Sequence, residues 1–537
     1  MAYRLAHIAY RISPHVSRIT YHVPSLAVIA ALVFSAMYFL VAIPRVFYPY
    51  DLDFLEDSML MQSLRIASGQ PVFVPPNVDF VPHVYMPLYT WLGGLLFKVT
   101  GPSFVPLRLL SLGATLATAL LIYWIARRES GLRWIGFVCA GLFLGGYRIN
   151  GFWYEVVRVD SLFVALILGG LTLGVYAGRS NLRLILSAGV LALAFFTKQT
   201  GVLIGAGLAA YLFVTIGRRA WLFAITFGVL AIVPLIILNA VTDGWFFYHV
   251  FRIGSADPIE VQRVINYVRF ELFGMMAGLS ALAIGAALTG ARRSGSKVIR
   301  LQPWLIAIAM AILISGIGRA RVGGSANNRM PAYALLCVAP AILMREWNAG
   351  RATEDEGPKT NDRYDHAKQS FVNPLAPNAY RWRSELIAVV IVFQFALGVY
   401  NPPRYIPSPE MRQSGDRLIR RIASIDGEVL VMMHPYYALL AGKEPSAQIA
   451  TLWYVRERGA LPLPEDFVAR IRGQYYAAII SDESEYFEKD PALIALIETY
   501  YARDEELAES DAPPTLTGVI VRPSVVYVPI QRLSPWR

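Results

Sequence analysis

Tyr48-Pro-Tyr-Asp-Leu-Asp-Phe-Leu-Glu-Asp57 follows an apolar run from Val23 to about Ile43. It places four carboxylates, Asp51, Asp53, Glu56 and Asp57, where a helix leaves a bilayer. Ionisable side chains beside lipid are costly, so such a cluster points to a site facing water or a polar substrate. The surrounding chain fits a membrane setting. Hydrophobic residues make up 55% of the 537 and charged residues 16%, against about 25% charged in a soluble protein. The mean hydropathy is +0.45.

Apolar runs recur at roughly 23–44, 105–126, 134–147, 161–177, 184–197, 201–216, 220–239, 271–290, 303–318, 329–344 and 384–400. They predict a polytopic α-helical membrane protein of about 11 transmembrane helices, although several runs fall short of the roughly 20 residues a span needs. The first run follows a basic leader (Arg4, Arg11, Arg18) without a small-residue cleavage site, as a retained signal anchor would. Short loops carrying Arg127, Arg128 and Arg133, then Arg179 and Arg183, then Arg218 and Arg219, then Arg292, Arg293, Lys297 and Arg300 share the side of the N-terminus. The positive-inside rule makes that side cytoplasmic. The acidic loop then lies outside, and an odd number of spans puts the tail outside too. The expected location is the plasma (inner) membrane, multi-pass.

The predicted domains are a transmembrane unit over 1–400 and a C-terminal extracytoplasmic α/β domain over 401–537. The first outer loop, 45–104, contains Met59-Leu-Met-Gln-Ser-Leu-Arg-Ile-Ala67, whose spacing predicts an amphipathic interfacial helix with Leu60, Leu64 and Ala67 on its apolar face. Residues 345–383 are polar and read as a flexible cytoplasmic loop. In the tail, Glu428 to Met433, Tyr476 to Ile480 and Gly518 to Val521 read as strands, alternating with helical patterns such as Asp490 to Arg503. No internal repeat is evident. Cys139 and Cys337 both fall in apolar runs and read as packing residues. The net charge of +11 is accounted for by loop arginines, and no basic stripe suggests nucleic acid.

Outer loops should be poor in Lys and Arg, yet Arg148, Arg158, Lys198, Arg252, Arg263, Arg269, Arg319, Arg321 and Arg329 fall there. Cations on the same face as a carboxylate cluster suggest an anionic ligand at the outer leaflet, and a lipid phosphate is the natural candidate. A carboxylate would take the proton from an attacking hydroxyl, and cations would stabilise a departing phosphate. That chemistry is glycosyl transfer from a polyprenyl-phosphate-linked sugar to a glycan, lipid or protein acceptor. Plainer readings stand beside it. The acidic loop would simply be solvated, Arg158 and Asp160 would form a local pair, and Lys198 would snorkel. Tyr85, Tyr89, Trp91 and Trp153 would form an interfacial belt rather than stack on sugar. His83 and His434 would be structural. A transporter or flippase of lipid-linked sugars, or a scaffold presenting the tail domain, are the rival functions.

Four stretches occur in a telling order: Leu52-Asp-Phe-Leu-Glu-Asp57 with Ile66-Ala-Ser-Gly-Gln70, Val84-Tyr-Met-Pro-Leu-Tyr89, Val157-Arg-Val-Asp-Ser161 and Leu193-Ala-Phe-Phe-Thr-Lys198. With them the chain resembles the GT-C superfamily of integral membrane glycosyltransferases, in the group of the protein mannosyltransferases and the aminoarabinose transferase of lipid A. Gly323-Gly-Ser-Ala-Asn-Asn328 is similar, more weakly, to another loop of that family. The resemblance implies an inverting transferase with its catalytic carboxylate in the first outer loop. Family members usually carry an Asp-Glu or Glu-led motif there, whereas this chain has Asp53 and Glu56-Asp57. The base is therefore open, with Asp53 or Glu56 ahead of Asp57. Lys198, Arg158, Arg263, Arg269, Arg321 and Arg329 are the candidates for the donor phosphate. Tyr85, Tyr89, Asp160 and Asn328 are the candidates for substrate contact. No cofactor is required by the sequence; the family's metal dependence varies, which leaves a divalent metal open, and no ligand spacing here calls for one.

Overall fold

The computed structural model describes residues 23–293, 302–354, 376–482 and 490–532. The basic leader and the centre of the expected 345–383 loop lie outside the described residues. Among the described residues, thirteen longer helices build the membrane part: α1 (Val23–Val46), α2 (Glu56–Ala67), α3 (Leu88–Thr100), α4 (Phe104–Ser130), α5 (Arg133–Gly145), α6 (Val159–Val175), α7 (Asn181–Thr197), α8 (Gly201–Ile216), α9 (Ala220–Val241), α10 (Ala277–Arg293), α11 (Pro303–Ala320), α12 (Ala339–Glu354) and α13 (Ala376–Leu397), with shorter helical pieces at Trp245–Phe247, Val261–Asn266 and Met330–Leu336. Short π-helical and 3-10 segments interrupt them, among them Tyr248–Ile253, Tyr267–Met275 and Ala326–Arg329. Each apolar run of the sequence meets a helix. By length and composition alone, four helical stretches among the described residues are able to cross a membrane, and two bent pairs raise that number to six. The chain is thus a multi-pass membrane protein, with several helices shorter than a full span. Helices α12 and α13 also take in both ends of the region expected to be a loop.

Apolar side chains of α1 (Leu26, Ile29, Leu32) and α9 (Ile232, Val233, Ile236) are exposed, forming the face that lipid would cover. Helices meet through small residues. A Cβ at Gly141 of α5 would fall 2.5 Å from that of Ala31 in α1, and one at Gly170 of α6 would collide with Leu191 of α7. Close backbone approach of this kind is how helices associate where water offers no driving force. Cys139 and Cys337 are buried and unpaired.

The tail forms a four-stranded mixed sheet in the order β1-β2-β4-β3, with β1 (Glu428–Val431), β2 (Tyr476–Asp482), β3 (Tyr501–Glu506) and β4 (Pro523–Pro529). Strand β1 runs parallel to β2; the other two pairings are antiparallel. Two expectations need correction. Gly518 to Val521 is a loop, because Gly518 takes φ +73° and Thr515 and Val521 close a turn around it. The first two turns of α2, Glu56 to Ser63, are buried on every side rather than lying amphipathically at the interface. The tail domain covers the face expected to meet water.

The contact between that domain and the 45–104 loop is polar and deeply buried. His434 is held between Asp51 (2.7 Å) and Asp482 (2.8 Å). Burial alone would lower the imidazole pKa, but the two carboxylates raise it well above the ordinary value. Both oxygens of Asp57 accept from the Tyr436 backbone N–H, at 3.2 and 3.0 Å. Gln448 Nε2 donates to the Phe54 carbonyl at 2.6 Å. The Leu516 and Thr517 N–H groups both donate to the Leu52 carbonyl, at 2.9 and 2.8 Å. The acidic loop and the tail therefore share one side of the helices.

Candidate active site

Of the four clustered carboxylates, Asp53 is the one left incompletely bonded. Its Oδ2 accepts from Arg158 Nη1 at 3.2 Å and, weakly, from the Leu55 N–H at 3.4 Å. Its Oδ1 is buried and has no hydrogen-bond partner among the described residues. Burial pushes its pKa up to about 7 against the opposing pull of Arg158. A Cβ at Gly518 would lie 2.9 Å from that Oδ1 and 3.0 Å from the Trp153 ring, so only a glycine backbone fits over the carboxylate.

Glu56 is placed differently. Arg108 grips it in a fork, Nε to Oε1 at 2.9 Å and Nη2 to Oε2 at 2.6 Å. The Leu52 and Val157 N–H groups complete it at 2.6 and 2.7 Å. With both oxygens committed, Glu56 suits holding the loop to α4 and the start of α6. Asp57, fastened to Tyr436, ties α2 to the tail domain. Breaking one partner of a buried pair leaves an uncompensated charge, at a cost of about 3–5 kcal/mol. Glu56→Ala should therefore lower the stability of detergent-solubilised protein by that order in unfolding measurements. A variant as stable as wild type would contradict this structural role.

Two helix ends and one turn assemble the neighbouring polar group. Arg158, extended at the N-cap of α6, donates through Nη2 to the Tyr85 hydroxyl at 2.7 Å and lies over the Trp153 ring at 4.8 Å. Lys198 caps the C-terminus of α7, where a cation complements the helix dipole. Its Nζ reaches Asp160 Oδ1 in the first turn of α6 at 2.8 Å and Asn328 Oδ1 at 3.0 Å. Asn327 Nδ2 donates to the other oxygen of Asp160 at 2.8 Å. Beside this group opens a cavity of about 470 Å³ whose wall includes Tyr85, Arg158, Lys198, Arg263, Arg321 and Asn328. Phe54 and Leu55, next to Asp53, also line it, as do Tyr454 and Val519 from the tail domain.

Asp53, Glu56, Asp57 and Asp160 are buried behind the cavity wall rather than lining it, and three further expected residues lie elsewhere. Tyr89 is buried, its hydroxyl bonded to the Leu107 carbonyl and to Ser111, both at 2.9 Å, fastening α3 to α4. Arg329 is buried 3.6 Å from Glu271, which also takes a fork from Arg319. Arg269 lies over the Phe270 ring and does not line the cavity. The acidic partner of the first two arginines came from a π-helix that sequence spacing does not reveal. Gln199, also missed, donates to the carbonyls of Val84 and Val250, both at 3.0 Å, and so pins the Val84–Tyr85 bend of the wall. Its place next to Lys198 was the available signal. Tyr454 and Val519 had none, being remote in sequence from the loop they face. Among the described residues, no three His, Cys, Asp or Glu side chains gather where a metal ion would fit.

The comparisons with known proteins agree with this architecture. Residues 82–242 match the model of the dolichyl-phosphate-mannose-protein mannosyltransferase family. That stretch holds Tyr85, Arg158, Asp160 and Lys198 but not Asp53. The fold is similar to the crystal structure of ArnT from Cupriavidus metallidurans in the apo state, with a TM-score of 0.55, 15% identity and coverage of 92% of this chain and 97% of that one. The same protein bound to undecaprenyl phosphate gives a TM-score of 0.53 at 15% identity, covering 94% and 97%. The Archaeoglobus fulgidus oligosaccharyltransferase gives 0.47 at 12% identity, covering 90% and 73%. No curated protein matches in sequence. The resemblance to the GT-C superfamily read from the motifs thus stands on a family match and a shared fold.

Proposed function

We propose that the chain is a glycosyltransferase that moves a sugar from a polyprenyl-phosphate-linked donor to an acceptor at the outer face of the membrane, with Asp53 as general base. The observation that carries this reading is one cavity holding four cations, Arg158, Lys198, Arg263 and Arg321, with a buried, half-satisfied carboxylate behind Arg158. The family match and the ArnT fold support the same class, and ArnT itself has been crystallised with undecaprenyl phosphate. The acceptor O–H loses its proton to Asp53 as its oxygen attacks the anomeric carbon. The bond from that carbon to the phosphate oxygen breaks on the opposite face, inverting the centre. The phosphate leaves with its electron pair, its growing charge met by Lys198, Arg263 and Arg321. A carboxyl tuned near neutral pH suits the first step, since a base works best with a pKa close to the operating pH. The rival reading as a carrier of lipid-linked sugars gains nothing from a site whose charges gather at one end of the helices.

Right-side-out vesicles from cells with and without the gene, given radiolabelled polyprenyl-phosphate sugars, test the proposal. Gene-dependent movement of label from the lipid to a second product supports it. Label that remains on the lipid in both preparations overturns it.

A further inference from the structure

Beside Arg158 the cavity wall includes an imidazole that the transfer chemistry described above does not use. His83 lines the cavity, is only 3% exposed, and has no hydrogen-bond partner for either ring nitrogen among the described residues. Its ring stacks on Tyr85, centroids 4.6 Å apart and planes 24° apart. The Tyr85 hydroxyl is itself engaged by Arg158, and the next carbonyl, Val84, is held by Gln199. The ring is thus stacked and anchored while its polar edge is unsatisfied. Buried polar groups are nearly always bonded, and an exception in a site calls for a missing partner.

We propose that His83 binds a substrate hydroxyl, on either the donor sugar or the acceptor, through one ring N–H and one ring lone pair. The assignment rests on the transferase reading above and names a recognition residue within that site. A neutral imidazole carries one donor and one acceptor, which matches a hydroxyl and not a phosphate. Burial and the neighbouring Arg158 push the His83 pKa down to about 3, so the ring is uncharged at neutral pH. A phosphate would instead draw on Lys198, Arg263 and Arg321, whose donors are cationic.

His83→Phe keeps an aromatic ring on Tyr85 and removes both nitrogens; His83→Asn keeps one donor and one acceptor. With purified full-length protein, His83→Phe should unfold at the wild-type temperature or above. It should also raise KM about 10-fold, the scale of one or two lost neutral hydrogen bonds. His83→Asn should recover part of that loss. A rise in the KM of the lipid-linked sugar alone places the hydroxyl on the donor; a rise for the acceptor alone places it there. The acid limb of kcat/KM should stay where wild type has it, because the ring does not titrate in that range. Unchanged KM values for both substrates, or a shifted acid limb, would overturn the assignment while leaving the transferase reading intact. A wild-type protein that transfers nothing would remove both.

Discussion

Asp53→Asn is expected to slow transfer by about 10²–10⁴-fold, the usual contribution of a positioned general base, with normal expression and folding. Asparagine keeps the size of the side chain, and Arg158 retains the Tyr85 hydroxyl and the Trp153 face as partners. What is lost is the oxygen that takes the proton. Because the wild-type carboxyl titrates near 7, kcat/KM should fall about tenfold per pH unit as the medium is acidified below that value. The protonated carboxyl still accepts hydrogen bonds but is far too weak a base to take the acceptor proton. Stability runs the other way. A carboxyl whose folded pKa is raised contributes fully below its unfolded value of about 3.9, and that contribution is lost as pH rises through about 7. The pH–rate profile of the wild type and the single-turnover rate of Asp53→Asn check both halves. A variant at the wild-type rate would remove Asp53 from the mechanism.

The second large effect concerns Lys198. Lys198→Ala should raise the KM for the lipid-linked donor about 10–100-fold, as expected for one charge-assisted contact with a phosphate. It should leave acceptor KM nearly unchanged, and Lys198→Arg should restore part of the loss. Lys198 also neutralises Asp160, whose side chain is 2% exposed, so instability alone is a competing explanation. The double variant Lys198→Ala with Asp160→Asn separates them, since it removes the orphaned charge. If the lysine served only Asp160, the double variant would regain donor use. If it meets the phosphate, donor KM stays high although the protein folds.

Much of this site was legible because burial and charge leave marks at short range in a sequence. Apolar runs located the helices, and polar residues at their ends marked Arg158, Asp160 and Lys198 as neighbours of one surface. Pairing leaves no such mark. Asp53 and Glu56 are three residues apart and chemically alike, and they differ because Arg108, 52 positions away, saturates only the second. The outer arginines looked alike for the same reason. Arg319 and Arg329 converge on Glu271, whereas Arg263 and Arg321 line the cavity. The 518–521 segment has the composition of a strand, and its actual conformation depends on a positive φ at Gly518 that hydrophobic alternation does not register.

The backbone bonds from Leu516 and Thr517 to Leu52 have a consequence for biogenesis. The carboxylate emerges from the ribosome early, but the segment that roofs it is made only after every helix has been inserted. A half-made chain therefore holds an open, water-accessible carboxylate, without the surroundings that shield it in the finished protein. Under the transferase reading proposed above, Asp53 reaches its finished surroundings only once the tail has folded onto the 45–104 loop.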